Sequence, residues 1–210
     1  MNIIKRAISS LLILSLAFGS AGCGSAHFSH RKMKDFAEAY DMNVQNSLFE
    51  SLKLEKSIWS YHYRPDYDSY QKYYYYSTEG DAARFFYDSL VNPTGELPQK
   101  NVTKVTSIHG FDKESHSYGS MILITFEKSA DAADCFEEIA KSYWLTDDNY
   151  IDNGHYRCVY EDSQTTSFPE SFWRAVYYSG HEILMVRMSY SDSTLIRDFC
   201  KSYGIKGPEE

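Results

Sequence analysis

Pairs of β-rich segments, each followed by an amphipathic helical pattern, constrain the fold of this chain more than any other feature. Residues 102–110 and 118–128 predict two strands, and a helical pattern follows over about 130–144. Near the C-terminus, further β-rich segments precede a predicted helix over 192–203, and Ser179-Gly180 predicts a tight hairpin. Hairpins imply antiparallel pairing, so this order predicts an α+β fold.

The first part of the chain continues the pattern. A helix is predicted from residue 31 to about 42, strands over 57–63 and 70–77, and a second helix near 79–90. The C-terminal strands are predicted over 155–161, 172–178 and 181–189. Together these elements predict an N-terminal helix and an antiparallel sheet with helices on one face, in a ferredoxin-like or related arrangement.

Two helix starts resemble each other and suggest a repeated hairpin–helix unit. Asp81-Ala82-Ala83-Arg84-Phe85-Phe86 is similar to Asp131-Ala132-Ala133-Asp134-Cys135-Phe136. A structural repeat explains this, and so does the convergent chemistry of strand-to-helix joints; we favour the repeat. The loop 91–101 is rich in Pro and Gly, so we expect one domain over 31–207 that is divisible into two subunits there.

The helical periodicity also predicts the core. Phe136 and Ile139 recur on one face of the helix over 130–144, and Leu195 and Phe199 do the same in the last helix. We expect all four side chains to be buried against the sheet, because an amphipathic helix directs its apolar stripe toward the core.

The N-terminus has the pattern of a secretion signal. Lys5 and Arg6 precede an apolar run over 7–18, which is too short to span a bilayer comfortably. Small residues follow at Gly19-Ser20-Ala21-Gly22, directly before Cys23. Small residues allow an extended chain to enter a peptidase cleft, so the pattern predicts that residues 1–22 are removed.

The segment that ends at Cys23 resembles the lipobox of bacterial lipoproteins. Ala21, Gly22 and Cys23 match that motif, and Ser20 stands where Leu is usual. The resemblance implies a diacylglyceryl group on the thiol of Cys23, hence a palmitate-type anchor at the extracytoplasmic face of the cell membrane. Residues 23–30 then form a tether of at most ~25 Å. The patterning of the body resembles small lipoproteins of Gram-positive anaerobes.

Net charge restricts the partners. The chain carries −8, and removal of Lys5 and Arg6 with the signal leaves −10. Such an acidic domain is unsuited to nucleic acid, whose binding is dominated by phosphate neutralisation. The partners that we expect are the membrane, through Cys23, and a glycan or protein; no cofactor is predicted.

The remaining cysteines are odd in number. Cys135, Cys158 and Cys200 contain no CxxC spacing. We interpret them as small buried hydrophobic residues, with a Cys135–Cys200 disulfide as the alternative.

Tyrosine is the most unusual component, with 19 residues in all. Eight lie close together: Tyr61, Tyr63, Tyr67, Tyr70, Tyr73, Tyr74, Tyr75 and Tyr76. In a strand, Tyr73 and Tyr75 share one face while Tyr74 and Tyr76 share the other. An exposed set would stack on sugar rings or anchor a protein interface. Ordinary cross-strand pairing is the structural alternative, and we favour it.

Histidine and cysteine patterns give no catalytic or metal motif. His109, Asp112 and His116 flank a polar turn and are interpreted as solvated loop residues rather than metal ligands. The segment Asn149 to Gly154 fails as a calcium loop, because its third position is an isoleucine. No nucleophile elbow is present, and His155 and Cys158 are predicted on opposite faces.

These observations favour a non-enzymatic, surface-tethered binding module. A carbohydrate- or cell-wall-recognising envelope protein that uses the Tyr61–Tyr76 region is the first alternative. A hydrolase whose site carries no recognisable motif is the second.

Overall fold

A computed structural model describes residues 28–44, 74–88, 101–112, 117–142, 149–163, 172–189 and 193–208. Within these ranges the chain forms helices and strands of a mixed α+β fold, in agreement with the predicted class. The helices are α1 His30–Ala39, α2 Gly80–Phe86, α3 Ser129–Ser142 and α4 Ser193–Tyr203. The strands are β1 Asn43–Val44, β2 Tyr74–Glu79, β3 Val102–Asp112, β4 Ser117–Phe126, β5 Tyr150–Asp152, β6 Arg157–Ser163, β7 Phe172–Ser179 and β8 Glu182–Ser189.

All the described strands belong to one sheet, in the order β1-β2-β3-β4-β8-β7-β6-β5. Every neighbouring pair is antiparallel except β1 and β2, which are parallel. Strands β4 and β8 are neighbours in the middle of the sheet, with Leu123 opposite Leu184, and their pairing connects β1–β4 to β5–β8. Strands β2 and β3 pair with each other, so the sheet includes described residues from both sides of the predicted boundary at 91–101.

The sheet is covered by helices on both faces, whereas the sequence had predicted helices on one. Helices α1 and α4 cover one side, here the α1–α4 face, where Leu123 and Leu184 are buried together with Phe36 and Phe199. Helices α2 and α3 cover the other side, here the α2–α3 face. There Val105, Ile124 and Ile183 are buried together with Phe86 and Phe136. The one-faced prediction is therefore wrong, and the ferredoxin-like arrangement is not confirmed.

The sequence itself carries a signal for a sheet that is covered on both faces. The central strands contain the uninterrupted apolar runs Met121-Ile122-Leu123-Ile124 and Ile183-Leu184-Met185-Val186. A strand with one solvated face alternates apolar and polar residues, whereas a strand covered on both faces is continuously apolar. These two runs lie next to each other in the middle of the sheet, where both faces need cover.

The two hairpin–helix units are not superposable copies. The β3–β4 hairpin is followed by α3 and the β7–β8 hairpin by α4, but α3 and α4 pack on opposite faces. A rotation that superposes the hairpins therefore leaves their helices on opposite sides of the sheet. The predicted repeat of this unit is not confirmed. The similar helix starts at 81 and 131 belong to α2 and α3, which both cover the α2–α3 face.

Several predictions from the sequence are confirmed. Phe136, Ile139, Leu195 and Phe199 are all buried. The tight hairpin joins β7 to β8 through Gly180, whose φ of 60° is accessible to glycine at little cost.

The state of the cysteines is also settled. Cys135, Cys158 and Cys200 are free and buried, as interpreted. Cys135 lies on the α2–α3 face, whereas Cys158 and Cys200 lie on the α1–α4 face. The sheet therefore separates Cys135 from Cys200, and the alternative of a Cys135–Cys200 disulfide is wrong.

Candidate functional site

Phe28, the first residue that the structure describes, is packed into the fold, although the predicted domain boundary was residue 31. The Phe28 side chain is only 1% exposed and lies on the α1–α4 face. Its ring centroid is 6.4 Å from those of Tyr177 and Tyr203. Residues Phe28 to His30, assigned to a flexible tether from the sequence, are therefore part of the fold.

Ser29 caps helix α1 and connects it to helix α4. Its side chain accepts a hydrogen bond from the backbone N–H of Lys32 at 3.4 Å, which satisfies a free donor of the first turn. Its carbonyl accepts a hydrogen bond from the Tyr203 hydroxyl at 2.7 Å. The Lys32 ammonium in turn lies 3.5 Å from the carbonyl of Ser202. The start of α1 is thus bonded to the end of α4.

His30 connects the same helix start to the sheet. Its Nδ1 lies 2.6 Å from the Thr106 hydroxyl of β3, and its Nε2 lies 2.7 Å from the Thr125 hydroxyl of β4. Thr106 is buried, and its hydroxyl also lies 2.7 Å from that of Ser77 in β2. The imidazole therefore links the first turn of α1 to three strands through hydroxyl groups.

The surroundings keep His30 neutral. Burial, together with the nearby Lys104 ammonium, lowers the pKa of His30 from 6.5 to about 4. Glu79 opposes this effect but is bonded to Lys104 at 2.6 Å. A neutral imidazole has one donor and one acceptor nitrogen, and here both have a hydroxyl partner. The geometry suits a fixed connection, because neither ring nitrogen is left to exchange a proton with a ligand.

We call this set the N-terminal clamp: Phe28, Ser29 and His30 with their partners Tyr203, Thr106 and Thr125. The sequence did not predict it, because residues 23–30, with His30, were assigned to the tether. A usable signal was the order Phe28-Ser29 followed by Met33. It matches a hydrophobic staple around an N-cap serine, and both apolar residues are buried.

The clamp lies at one end of the strands, and strand β2, which contains Tyr74 to Tyr76, begins at the other end. Thr125 is paired with Glu182, the first residue of β8, beside the hairpin at Gly180. We call this end of the strands the clamp edge. Strand β2 begins at Tyr74, opposite His109, and the β3–β4 hairpin closes at Asp112 and Ser117 on the same side. We call that side the far edge.

The proposed tyrosine surface is partly excluded. Tyr75 and Tyr76 are 5% and 1% exposed, on the α1–α4 and α2–α3 faces respectively. Consecutive strand residues point to opposite faces, and in this sheet both faces are covered. These two rings therefore offer no surface to a ligand. Tyr61, Tyr63, Tyr67, Tyr70 and Tyr73 lie outside the described residues, as does the side chain of Tyr74.

The histidine cluster of the β3–β4 hairpin is not assembled within the described residues. The backbone places His109 and Asp112 on β3, while His116 lies outside the described ranges. In the part of the chain that the structure describes, no group of three His, Cys, Asp or Glu side chains is arranged to hold a metal. Near the rejected calcium-loop segment, the Asn153 side chain accepts hydrogen bonds from the N–H groups of His155 and Tyr156, as expected for a polar turn.

Burial on the α1–α4 face keeps the thiols of Cys158 and Cys200 in their protonated form. Burial raises the pKa of the Cys200 thiol to about 12 and that of Cys158 well above its ordinary value. Cys135 is buried on the other face, with its sulfur 3.2 Å from the Tyr87 hydroxyl. A protonated, inaccessible thiol is a poor nucleophile, so these cysteines have the character of core residues.

Comparisons with known proteins identify no family. No protein-family model and no curated protein matches the chain. Among solved structures it is similar to the extracellular domain of PknH from Mycobacterium tuberculosis. The identity is 10% and the TM-score 0.34, over 60% of this chain and 75% of that one. Similarity this distant establishes neither a shared fold nor a shared function. None of the described helices is both long enough and apolar enough to cross a membrane.

Proposed function

We propose that this chain is a lipid-anchored, extracytoplasmic binding module, held at the membrane through Cys23. The observation that carries the anchoring is the lipobox match at Ala21, Gly22 and Cys23, and the N-terminal clamp defines where such an anchor would join the fold. Only residues 24–27 separate Cys23 from Phe28, the first described residue, which is buried. A lipid on Cys23 would therefore be joined almost directly to a rigid attachment point on the domain.

The dimensions support such an attachment. Five peptide steps from Cys23 to Phe28 reach at most about 17 Å when fully extended. Two acyl chains give stable membrane binding where one gives only marginal binding. The domain is thus tethered within a fraction of its own diameter from the lipid surface, and it presents its remaining surface to partners.

The described chemistry favours binding over catalysis. His30 has both ring nitrogens occupied by Thr106 and Thr125, and burial raises the pKa values of Cys158 and Cys200. A hydrolase needs a base or nucleophile that is accessible and near its working pKa. These groups do not supply one, so their role is to hold the fold together.

Anchoring is tested by replacement of the lipidated residue. In Cys23→Ser the thiol that accepts the diacylglyceryl group is gone, so we expect the protein to leave the membrane fraction. Ser20→Leu is the matched control, because it completes the usual lipobox and should remain in the membrane fraction. Mass spectrometry of the wild-type N-terminus should show a lipid-modified Cys23. An unmodified Cys23 on the mature wild-type protein contradicts the proposal.

A second candidate is recognition of a glycan or cell-wall polymer by the tyrosine-rich segment. It is supported by the position of Tyr74, which begins β2 at the far edge, opposite the clamp. The chain therefore enters β2 on the side away from the attachment point. The proposal is that the tyrosines before Tyr74, namely Tyr61, Tyr63, Tyr70 and Tyr73, act on that side. Aromatic rings there would be presented to wall polymers rather than to lipid.

This candidate is tested by the pair Tyr61→Ser and Tyr63→Ser in one protein. We expect the double variant to keep the wild-type melting temperature and to lose sedimentation with purified peptidoglycan. Tyr150→Ser is the control, because Tyr150 is 44% exposed and lies in β5, apart from the tyrosine-rich segment. Equal sedimentation of wild type and double variant would assign these tyrosines a structural role.

A further inference from the structure

The clamp edge is a continuous surface held together by bonds between its turns and helix ends. The N–H of Phe126, at the end of β4, donates to the carbonyl of His181 at 2.8 Å. The N–H of Glu127 donates to the carbonyl of Asn101 at 2.8 Å. The Ser179 hydroxyl donates to the carbonyl of His155 at 2.9 Å, which joins the β7–β8 and β5–β6 turns. The start of α1 and the end of α4 meet on the same side through the clamp.

We propose that this clamp edge lies against the headgroups of the membrane, so that the strands stand away from the lipid and the far edge faces outward. The inference rests on the proposed anchoring through Cys23. It adds an orientation and an interaction surface, with a bilayer surface as the partner. The short segment 24–27 and the fixed first turn of α1 together limit how far the domain can rotate about its anchor.

Distances within the fold oppose the inverted orientation, in which the far edge would lie against the lipid. Helix α3 begins two residues after β4 ends at the clamp edge, and it has 14 residues. At 1.5 Å per residue its far end is about 20 Å from the clamp edge. A tether that reaches at most about 17 Å from Phe28 is shorter than this distance, so it cannot place the far edge against the lipid.

The charge of the clamp edge is compatible with an anionic bilayer, although the mature chain as a whole is strongly acidic. Exposed cations there are offset by exposed carboxylates: Lys32, Lys128 and Lys201 against Glu79, Glu127 and Asp152. The clamp edge thus presents charges of both signs, and such a surface meets less repulsion from anionic headgroups than a uniformly acidic one would.

The inference predicts a gradient of contact with lipid along the fold. Four exposed positions are suited to single-cysteine labels, because the native thiols are buried. Lys128→Cys and His181→Cys place a fluorophore at the clamp edge. Lys141→Cys and Thr194→Cys place it at the far ends of the two faces, at the end of α3 and the start of α4.

The experiment uses the full lipidated chain in phosphatidylglycerol-containing vesicles that carry a headgroup spin-labelled lipid. We expect the spin label to quench fluorescence at positions 128 and 181 at least about twofold more strongly than at 141 and 194, because short-range quenching decays over the height of α3. Equal quenching at all four positions, or stronger quenching at 141 and 194, overturns the orientation. Failure of the anchoring proposal is distinguishable, because then the wild type would not sediment with the vesicles at all.

Discussion

The two faces of the sheet are closed in different ways, and the difference explains where the clamp occurs. The α2–α3 face is covered by helices that directly follow their strands: α2 after β2, and α3 two residues after β4. The α1–α4 face is covered by the two ends of the described chain, residues 28–42 and 193–208. One face is thus assembled from local neighbours, and the other from segments that are far apart in sequence.

This difference in connectivity has a chemical consequence. Segments that are distant in sequence have no short covalent connection to hold them against the core, so they depend on noncovalent contacts, including side-chain hydrogen bonds. On the α1–α4 face, the carbonyl of Ser29 receives Tyr203, and the Lys206 carbonyl receives the hydroxyl of Tyr177. The N–H of Lys206 donates to Tyr156 at 3.0 Å. Tyrosine hydroxyls thus attach both chain ends, whereas the α2–α3 face brings its helices in through short covalent connections.

The largest expected effect tests whether both faces are equally necessary. Phe136 of α3 and Phe199 of α4 are both fully buried, on opposite faces. Truncation of either to Ala removes apolar contacts and leaves a cavity, so each should lower the free energy of unfolding by about 3–5 kcal/mol. Urea unfolding followed by tryptophan fluorescence measures both.

The expectation is contradicted if Phe136→Ala and Phe199→Ala lower the free energy of unfolding by very different amounts. A much smaller loss for Phe136→Ala would mean that the α2–α3 face contributes little to the cooperative unit. The exposed substitution Lys141→Ala on the same helix is the control and should change the free energy of unfolding by at most about 0.5 kcal/mol.

A pH dependence of stability should be specific to the α1–α4 face, because His30 lies there. In the folded state its pKa is about 4, below the unfolded value of 6.5. Above pH 6.5 both states are neutral; as pH falls from 6.5 to about 4, only the unfolded state gains the proton. Stability should therefore fall over this window, by at most about 1.4 kcal/mol per pH unit.

The comparison of wild type with His30→Gln isolates this contribution, because an amide donates and accepts hydrogen bonds but does not titrate. Free energies of unfolding at pH 7.5 and pH 4.5 should differ more in wild type than in His30→Gln. His181→Ala, which removes an exposed imidazole, should retain the wild-type difference. Identical pH dependence in wild type and His30→Gln would show that His30 is not held neutral in the folded state.

The smallest expected effect compares one buried hydroxyl on each face. Tyr203 donates to the backbone carbonyl of Ser29 at 2.7 Å, whereas the Tyr87 hydroxyl meets the sulfur of Cys135 at 3.2 Å. Sulfur is a weak hydrogen-bond partner, so Tyr203→Phe should cost about 0.5–1.5 kcal/mol and Tyr87→Phe clearly less. Thermal unfolding of the two variants shows which substitution lowers the melting temperature more. The reverse order would remove the argument that hydroxyls attach the chain ends.

Local sequence patterns determined the α+β class and most element positions. Hairpins around Gly180 and between β3 and β4, and the apolar stripes of α3 and α4, are encoded by periodicities of two and 3.6 residues. Such patterns require only near neighbours, so they are readable without the fold. The strands β1 and β5 were not predicted, because two- and three-residue segments carry too little pattern.

The tertiary structure alone decided which helix covers which face, and therefore the roles of individual polar residues. Periodicity shows that Tyr75 and Tyr76 point in opposite directions, but the cover that buries both comes from helices distant in sequence. In the same way, His30 is an ordinary polar residue until Thr106 and Thr125 meet it across long stretches of chain. The lipobox resemblance at Cys23 is readable because a peptidase recognises an extended chain, whereas the clamp exists only once the strands have paired.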